Sequence, residues 1–203
     1  MKCFFWQVLY RIVALPFGIF LTVVNFLLSL TTTYDTEGSV DIPENAILFS
    51  SHTDVYGLCL HPAVRTGGRF NTVWLGYHGI APYIFAVWDH FCGLEYWCYW
   101  RQGTTSKREQ VIEFMKHHPS IRLGLATDSG GPYGKVRPSL IELSQKTGRP
   151  LVAVRMRMSR SITFLKHHLP LPFGKIVAQV SSPISREALD LEVLQAHLDN
   201  PLR

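Results

Sequence analysis

Ile121-Arg122-Leu123-Gly124-Leu125-Ala126-Thr127-Asp128-Ser129-Gly130-Gly131-Pro132-Tyr133-Gly134 opens the stretch that decides the fold, and Lys135 to Val154 completes it. Its first six residues are an apolar run of strand length, stopped by a segment dense in turn residues. A helix fits Pro138 to Lys146. Pro138 suits its first turn, Leu140, Ile141 and Leu143 form its apolar side, and Thr147-Gly148 is its stop. Pro150 to Val154 reads as the next strand. Strand, turn, helix, strand is the repeating unit of an α/β fold, which places its ligands at the carboxyl ends of strands. Asp128 lies at such an end among three glycines, with Lys135 and Arg137 close behind.

Working outward, Ala46 to Ser50 is a buried-type strand that delivers Ser51-His52-Thr53-Asp54 to its carboxyl end. Ser106-Lys107-Arg108-Glu109 is a capping-box pattern, and Val111, Ile112, Phe114 and Met115 supply the apolar side of the helix it opens. Lys175 to Val180 reads as a strand and Ser185 to Leu198 as a last amphipathic helix, while Tyr34 to Asn45 reads as a polar connector. Strands alternating with helices predict an α/β body over residues 34–203, a single domain with a central, mostly parallel sheet flanked by helices. At 203 residues the chain is long enough for a proper core.

Before that body, Ile12 to Leu30 contains no charged residue. At 1.5 Å per residue such a helix spans about 28 Å, enough to cross a bilayer core. Residues 1–33 are therefore expected to anchor the chain to a membrane, with Pro16, Gly18 and Asn25 allowing a kinked or half-inserted helix. Basic residues precede the segment and acidic ones follow it, which by the positive-inside rule puts the body outside. Charge is unevenly placed: residues 1–100 carry a net −3 and residues 101–203 a net +8. A basic half suits nucleic acid, anionic headgroups or phosphorylated substrates. With no arginine-rich arm, zinc-finger spacing or helix-turn-helix signal, lipid is favoured and nucleic acid is not. Ten of the 27 residues from Trp74 to Trp100 are aromatic, well above the 12% of the whole chain. That excess serves a core, a membrane-interface belt or the lining of an acyl-chain groove. Cys3, Cys59, Cys92 and Cys98 form no C-x-x-C pair and read as buried thiols in a reducing compartment.

Several residues are candidates for chemistry. His52 should present its ring at the sheet's carboxyl edge, and an imidazole of ordinary pKa suits a general base. Asp54 is the nearest carboxylate; Asp54 or Thr53 equally suits the N-cap of a following helix. Arg101 beside the amides of Gly103, Thr104 and Thr105 makes an anion site, or is a solvated surface arginine. Asp128 suits a ligand-facing carboxylate or a turn-former. His52, Asp54 and one of His61, His78 or His90 would be a metal set, but no spacing matches a zinc signature. His117-His118 and His167-His168 read as exposed pairs. No Gly-x-Ser-x-Gly elbow or Walker loop is present.

Asp128 through Pro138, followed by Lys146-Thr147-Gly148-Arg149-Pro150-Leu151-Val152-Ala153-Val154, resembles the Asp-Gly-Pro-x-Gly-Pro block and downstream strand of a bacterial acyltransferase family. That family is a branch of the lysophospholipid acyltransferase superfamily, long described only as a domain of unknown function, and includes late acyltransferases of lipid A. The resemblance runs on through Leu165, Leu169-Pro170-Leu171-Pro172-Phe173 and Pro183-Ile184, and back to Arg101-Gln102-Gly103-Thr104-Thr105. It covers roughly residues 46–184. It implies acyl transfer from a thioester of acyl carrier protein or coenzyme A to a hydroxyl of a lysophospholipid or lipid A-type acceptor. His52 would be the base and Asp54 its partner, with Arg101, Gly103, Thr104, Asp128, Gly130, Lys135 and Arg137 shaping the acceptor site. No metal or bound cofactor is implied, since the thioester is a substrate. The body would work at the inner membrane's cytoplasmic face, which a helix lying in one leaflet reconciles with the flanking charges. The superfamily's carboxylate five residues after the histidine is Gly57 here. Tyr77-His78-Gly79 and Gly131 replace charged residues of the other blocks. Those departures raise an alternative, a catalytically silent relative that binds lipid or a partner at the membrane. Oligomeric state is not legible.

Overall fold

Successive residues of a strand face opposite sides of its sheet, and the central strands here are apolar at both parities. In strand β2 (Ile47–Ser50) Ile47 and Phe49 join one core cluster while Leu48 joins another; in β6 (Leu151–Met158) Leu151 and Ala153 part in the same way from Val152, Val154 and Met156. Strands buried on both faces belong to a parallel sheet covered by helices on each side. The computed structural model describes residues 12, 16, 18–20, 22–24, 26–39, 41–64, 72–76, 96–98, 106–128, 133–164, 166–185 and 189–202. It shows an α/β domain of that kind.

The remaining strands are β1 (Thr33–Gly38), β3 (Thr72–Gly76), β4 (Tyr96–Cys98), β5 (Arg122–Ala126), β7 (Ser161–Phe164), β8 (His167–Pro170) and β9 (Lys175–Val180). Seven form one sheet in the order β1-β9-β6-β2-β5-β3-β4, and β7-β8 form a separate hairpin. Every pairing in the large sheet is parallel except that of β6 with β9. Helices α2 (Lys107–His117), α3 (Pro138–Thr147) and α4 (Leu191–Asp199) contribute to the core that contains Phe49. Helix α1 (Val55–Leu60) contributes Leu58 and Leu60 to the core that contains Leu48.

Local sequence explains most of these boundaries. The capping box forms as expected: Ser106 Oγ accepts from Glu109 N at 3.2 Å, and Glu109 Oε2 accepts from Ser106 N at 2.8 Å. Pro138 opens α3, and Gly148 closes it in the left-handed region at φ 72°, which costs glycine little. Arg149 is buried and donates to the carbonyls of Met115, His118 and Ile121, so its guanidinium closes the carboxyl end of α2.

Elsewhere the expectations need correction. The supposed connector at Tyr34 contains most of β1, an edge strand whose polar, half-exposed residues hide its character. The last helix begins at Leu191, six residues later than expected. Asp190 caps the helix there, its Oδ1 accepting from Glu192 N at 2.7 Å. Earlier, residues 181–184 run beside β6, with Ser181 N donating to Ala153 O and Ile184 N to Leu151 O.

Described residues between 12 and 31 are helical. Leu28 is buried in the core and Val24 packs against it, whereas Ile19, Phe20, Val23, Phe26, Leu27 and Leu30 are exposed. Among the described residues no helix is long and apolar enough to cross a membrane. Apart from the backbone of β3 and β4, the aromatic segment from 74 to 100 lies outside the described residues, as do all four cysteine side chains.

Candidate active site at the carboxyl edge of β2 and β5

Neighbouring parallel strands release their chains side by side. Ser50 of β2 is level with Ala126 of β5, so Ser51-His52 and Thr127-Asp128 emerge together. Asp128 is 0% exposed and binds the two loops to each other. Its Oδ1 accepts from His52 N at 2.7 Å; its Oδ2 accepts from Ser51 Oγ at 2.8 Å and Gly134 N at 2.5 Å. Gly134, at φ 78°, turns its amide back towards the carboxylate. Gln195 of α4 pins the same turn, donating to Gly134 O at 2.8 Å and accepting from Val136 N at 2.9 Å. Asp128 was expected to line the acceptor site. Its oxygens are instead spent inside the protein, and it acts as a clamp on the loops.

His52 opens a 3-10 turn, His52–Asp54, that leads into α1. Its ring stacks on Tyr133, 5.7 Å away and 10° from parallel, and lies 5.1 Å from the ring of His167. Burial, aided by the nearby His167, pushes the His52 pKa down, and Asp128 opposes this. The Nδ1 atom is buried and has no hydrogen-bond partner among the described residues.

Asp54 does not supply one, which corrects the expected dyad. Its Oδ2 accepts from Met156 N at 3.0 Å and its Oδ1 from Thr53 Oγ1 at 3.3 Å. The ladder between β2 and β6 covers only Leu151 to Ala153 of β6, so the Met156 amide lies where β2 no longer reaches. The carboxylate takes the backbone's place there. Burial raises the Asp54 pKa, against the amide bond that lowers it. Asp54 occupies the N-cap position of α1 but makes no side-chain cap bond.

The position five residues after His52 is closed to any side chain. A Cβ on Gly57 would lie 2.9 Å from Met156 Cβ, 2.8 Å from Met156 Cγ and 2.6 Å from Met158 Cε. Close packing of α1 on β6 therefore requires glycine where the resembling superfamily has its carboxylate.

His167 is the residue that sequence reasoning missed. Expected as part of an exposed pair, it is half-buried at the start of β8, with Nδ1 2.9 Å from the carbonyl oxygen of His52. Tyr56 meets its ring edge-on at 5.7 Å, and Tyr133 lies 6.1 Å away. Lys166 Nζ sits 5.4 Å from the centre of the Tyr133 ring, a cation–π distance. No local pattern links positions 52 and 167; only the hairpin's fold brings them together.

Lys135 is exposed and Arg137 stands at the N-cap of α3. Arg101, Gly103, Thr104 and Gly130 lie outside the described residues. His61, 1% exposed, is a satisfied core histidine: Nε2 is 2.7 Å from the Asp35 carbonyl, and Nδ1 is 3.3 Å from the amide of Ala63, which donates to it. Among the described residues no group of three His, Cys, Asp or Glu is placed to hold a metal ion. A cavity of about 360 Å³ is lined by Arg155, Arg157, Ser161, His168 and Gln179. Its cations are committed, Arg155 to the Asp199 carbonyl and Arg157 to Glu37.

The arrangement thus offers imidazole rings at a strand edge, walled by aromatic rings, on loops that a buried carboxylate ties together through a serine hydroxyl and two backbone amides. Such a site can take a proton from a bound hydroxyl. No family profile and no curated protein matches the chain. Among solved structures it is similar to the crystal structure of a 1-acyl-sn-glycerophosphate acyltransferase from Thermotoga maritima. The two share 15% identity and a TM-score of 0.47, over 93% of this chain and 75% of that one.

Proposed function

We propose that this chain is a membrane-associated acyltransferase. It moves a fatty acyl chain from a thioester of acyl carrier protein or coenzyme A to a hydroxyl of a lysophospholipid or lipid A-type acceptor. The observation that carries the reading is the Asp128 clamp, which sets His52 beside His167 at the carboxyl edge of a parallel sheet. The motif resemblance around Asp128 supplies the substrate class. In the reaction a histidine of this pair takes the acceptor's proton, the alkoxide attacks the thioester carbonyl, and the thiolate departs. Donors facing the developing oxyanion are ordinarily the largest catalytic contribution. No bound cofactor or metal is needed.

The exposed apolar side chains of the N-terminal helix support attachment to a lipid surface, here the inner membrane's cytoplasmic face. Protease treatment of intact spheroplasts checks that placement, because cleavage of the body before lysis contradicts it. One observation favours a second reading, a silent lipid- or partner-binding relative: Gly57 excludes the supporting carboxylate. Acyl transfer by detergent-purified protein decides between them. Radiolabelled thioesters are offered with a panel of lysophospholipids and lipid A precursors, and the double variant His52→Ala/His167→Asn serves as the blank. Product above that blank is expected. Lipid binding without product from any pair leaves the silent relative.

A further inference from the structure

We propose that the general base of this site is His167, and that His52 holds it in place through its backbone carbonyl. The inference rests on the acyl-transfer reading and names the group that performs its proton step. A carbonyl oxygen only accepts hydrogen bonds, so the contact of 2.9 Å between His167 Nδ1 and His52 O places the proton on Nδ1. In the neutral ring the lone pair then sits on Nε2. When Nε2 takes a proton, the Nδ1–H bond to the carbonyl persists and supports the imidazolium. This is the orienting role that a carboxylate plays in other histidine bases.

Among the described residues His52 has no equivalent. Its Nδ1 is buried, and none of them accepts from the N–H that protonation of its ring would place there. The two candidate carboxylates are committed, Asp54 to Met156 N and Asp128 to the two loops, and Gly57 admits none. Around His167 stand the ring of His52, the hydroxyl-bearing rings of Tyr56 and Tyr133, and Lys166 over Tyr133.

The step balances without another reactant. The acceptor O–H proton passes to His167 Nε2 as the oxygen bonds to the acyl carbon. The C–S bond then breaks, and the departing thiolate takes the proton back. The ester and the free thiol are the products.

The test compares wild type, His52→Ala and His167→Asn in the same thioester assay across pH, with thermal melts beside it. Asparagine keeps a side-chain N–H near the position of Nδ1 and so preserves the bond to the carbonyl, but it has no basic nitrogen. A fall in kcat of about a hundredfold or more is expected for His167→Asn. Its KM should hold, and the limb of the pH–rate profile that falls towards acid should disappear. His52→Ala keeps the carbonyl and should lose less. His167→Asn with the wild-type rate and profile overturns the proposal, as does a larger loss from His52→Ala. If His167→Asn does not fold, ethoxycarbonylation of the wild type decides. Inactivation must track modification of His167, with protection by lysophospholipid, and inactivation that tracks His52 sinks the idea. A wild type that yields no product overturns the acyl-transfer reading itself and this proposal with it.

Discussion

Replacing Asp128 with alanine should unfasten the loops that build the candidate site, and the cost can be worked from its bonds. The carboxylate is fully buried and accepts from Ser51 Oγ, His52 N and Gly134 N. The serine hydroxyl can rotate towards another acceptor, so its loss counts least. The two amides cannot turn, and a hydrogen bond to a charged acceptor is worth about 1.5–3 kcal/mol. Because both amides lie in half-buried loops that water can partly reach, the lower end applies. Asp128→Ala should therefore cost about 3 kcal/mol, a large part of the 5–15 kcal/mol that ordinarily holds a domain folded. Asp128→Asn keeps one carbonyl oxygen but turns an amide N–H₂ towards a donor, for about 2 kcal/mol. Ser51→Ala should cost about 1 kcal/mol. Urea unfolding at pH 7 followed by fluorescence reads all three, and unchanged m-values would show that only stability has moved. An Asp128→Ala loss below about 1 kcal/mol at constant m, or a reversed order, refutes the clamp.

Three further outcomes follow from the same geometry. Gly57→Ala should destabilise by about 1–3 kcal/mol, since its Cβ overpacks Met156, and Gly57→Asp should cost more without raising acyl transfer; a stable, more active Gly57→Asp protein contradicts the packing argument. Burial holds the Asp54 pKa above its unfolded value, so the stability linked to it is complete below that value and lost as pH rises through the folded one. Asp54→Asn, which keeps an acceptor for Met156 N, should be at least as stable at pH 7, and a loss above about 1 kcal/mol argues against it. Burial instead depresses the pKa of His61. Its contribution is complete above the ordinary histidine value near 6.5 and is lost as pH falls through the lower folded value. Between pH 7.5 and 5 the urea midpoint of wild type should fall further than that of His61→Gln, and equal slopes would place the effect elsewhere.

Much of the architecture was legible because its causes are local. The run from Leu123 to Ala126, the proline and glycine bracketing α3, and the Ser106–Glu109 box each act within a few residues. β1 was not legible, since this strand at the sheet's edge has no fully buried residue, and Asp35, Thr36 and Glu37 leave no apolar alternation to read. Nor was the start of α4: Ser185 and Asp190 are both N-cap residue types, and it is Asp190 that accepts from Glu192 N.

The site divides along the same line. Sequence alone determined that His52 and Asp128 would stand at strand ends of an α/β sheet, because hydrophobic runs and turn residues locate those ends. The motif resemblance pointed to Gly57 as the position where the resembling superfamily has a carboxylate. Only the tertiary structure decided what these residues do. Asp54 turns to an unpaired strand amide, Asp128 disappears into a clamp, and His167 arrives from a hairpin 115 residues away to donate to the His52 carbonyl. Hydrogen-bonding groups are claimed by whichever partner packing brings within 3 Å, and packing between distant segments leaves no local mark in the chain.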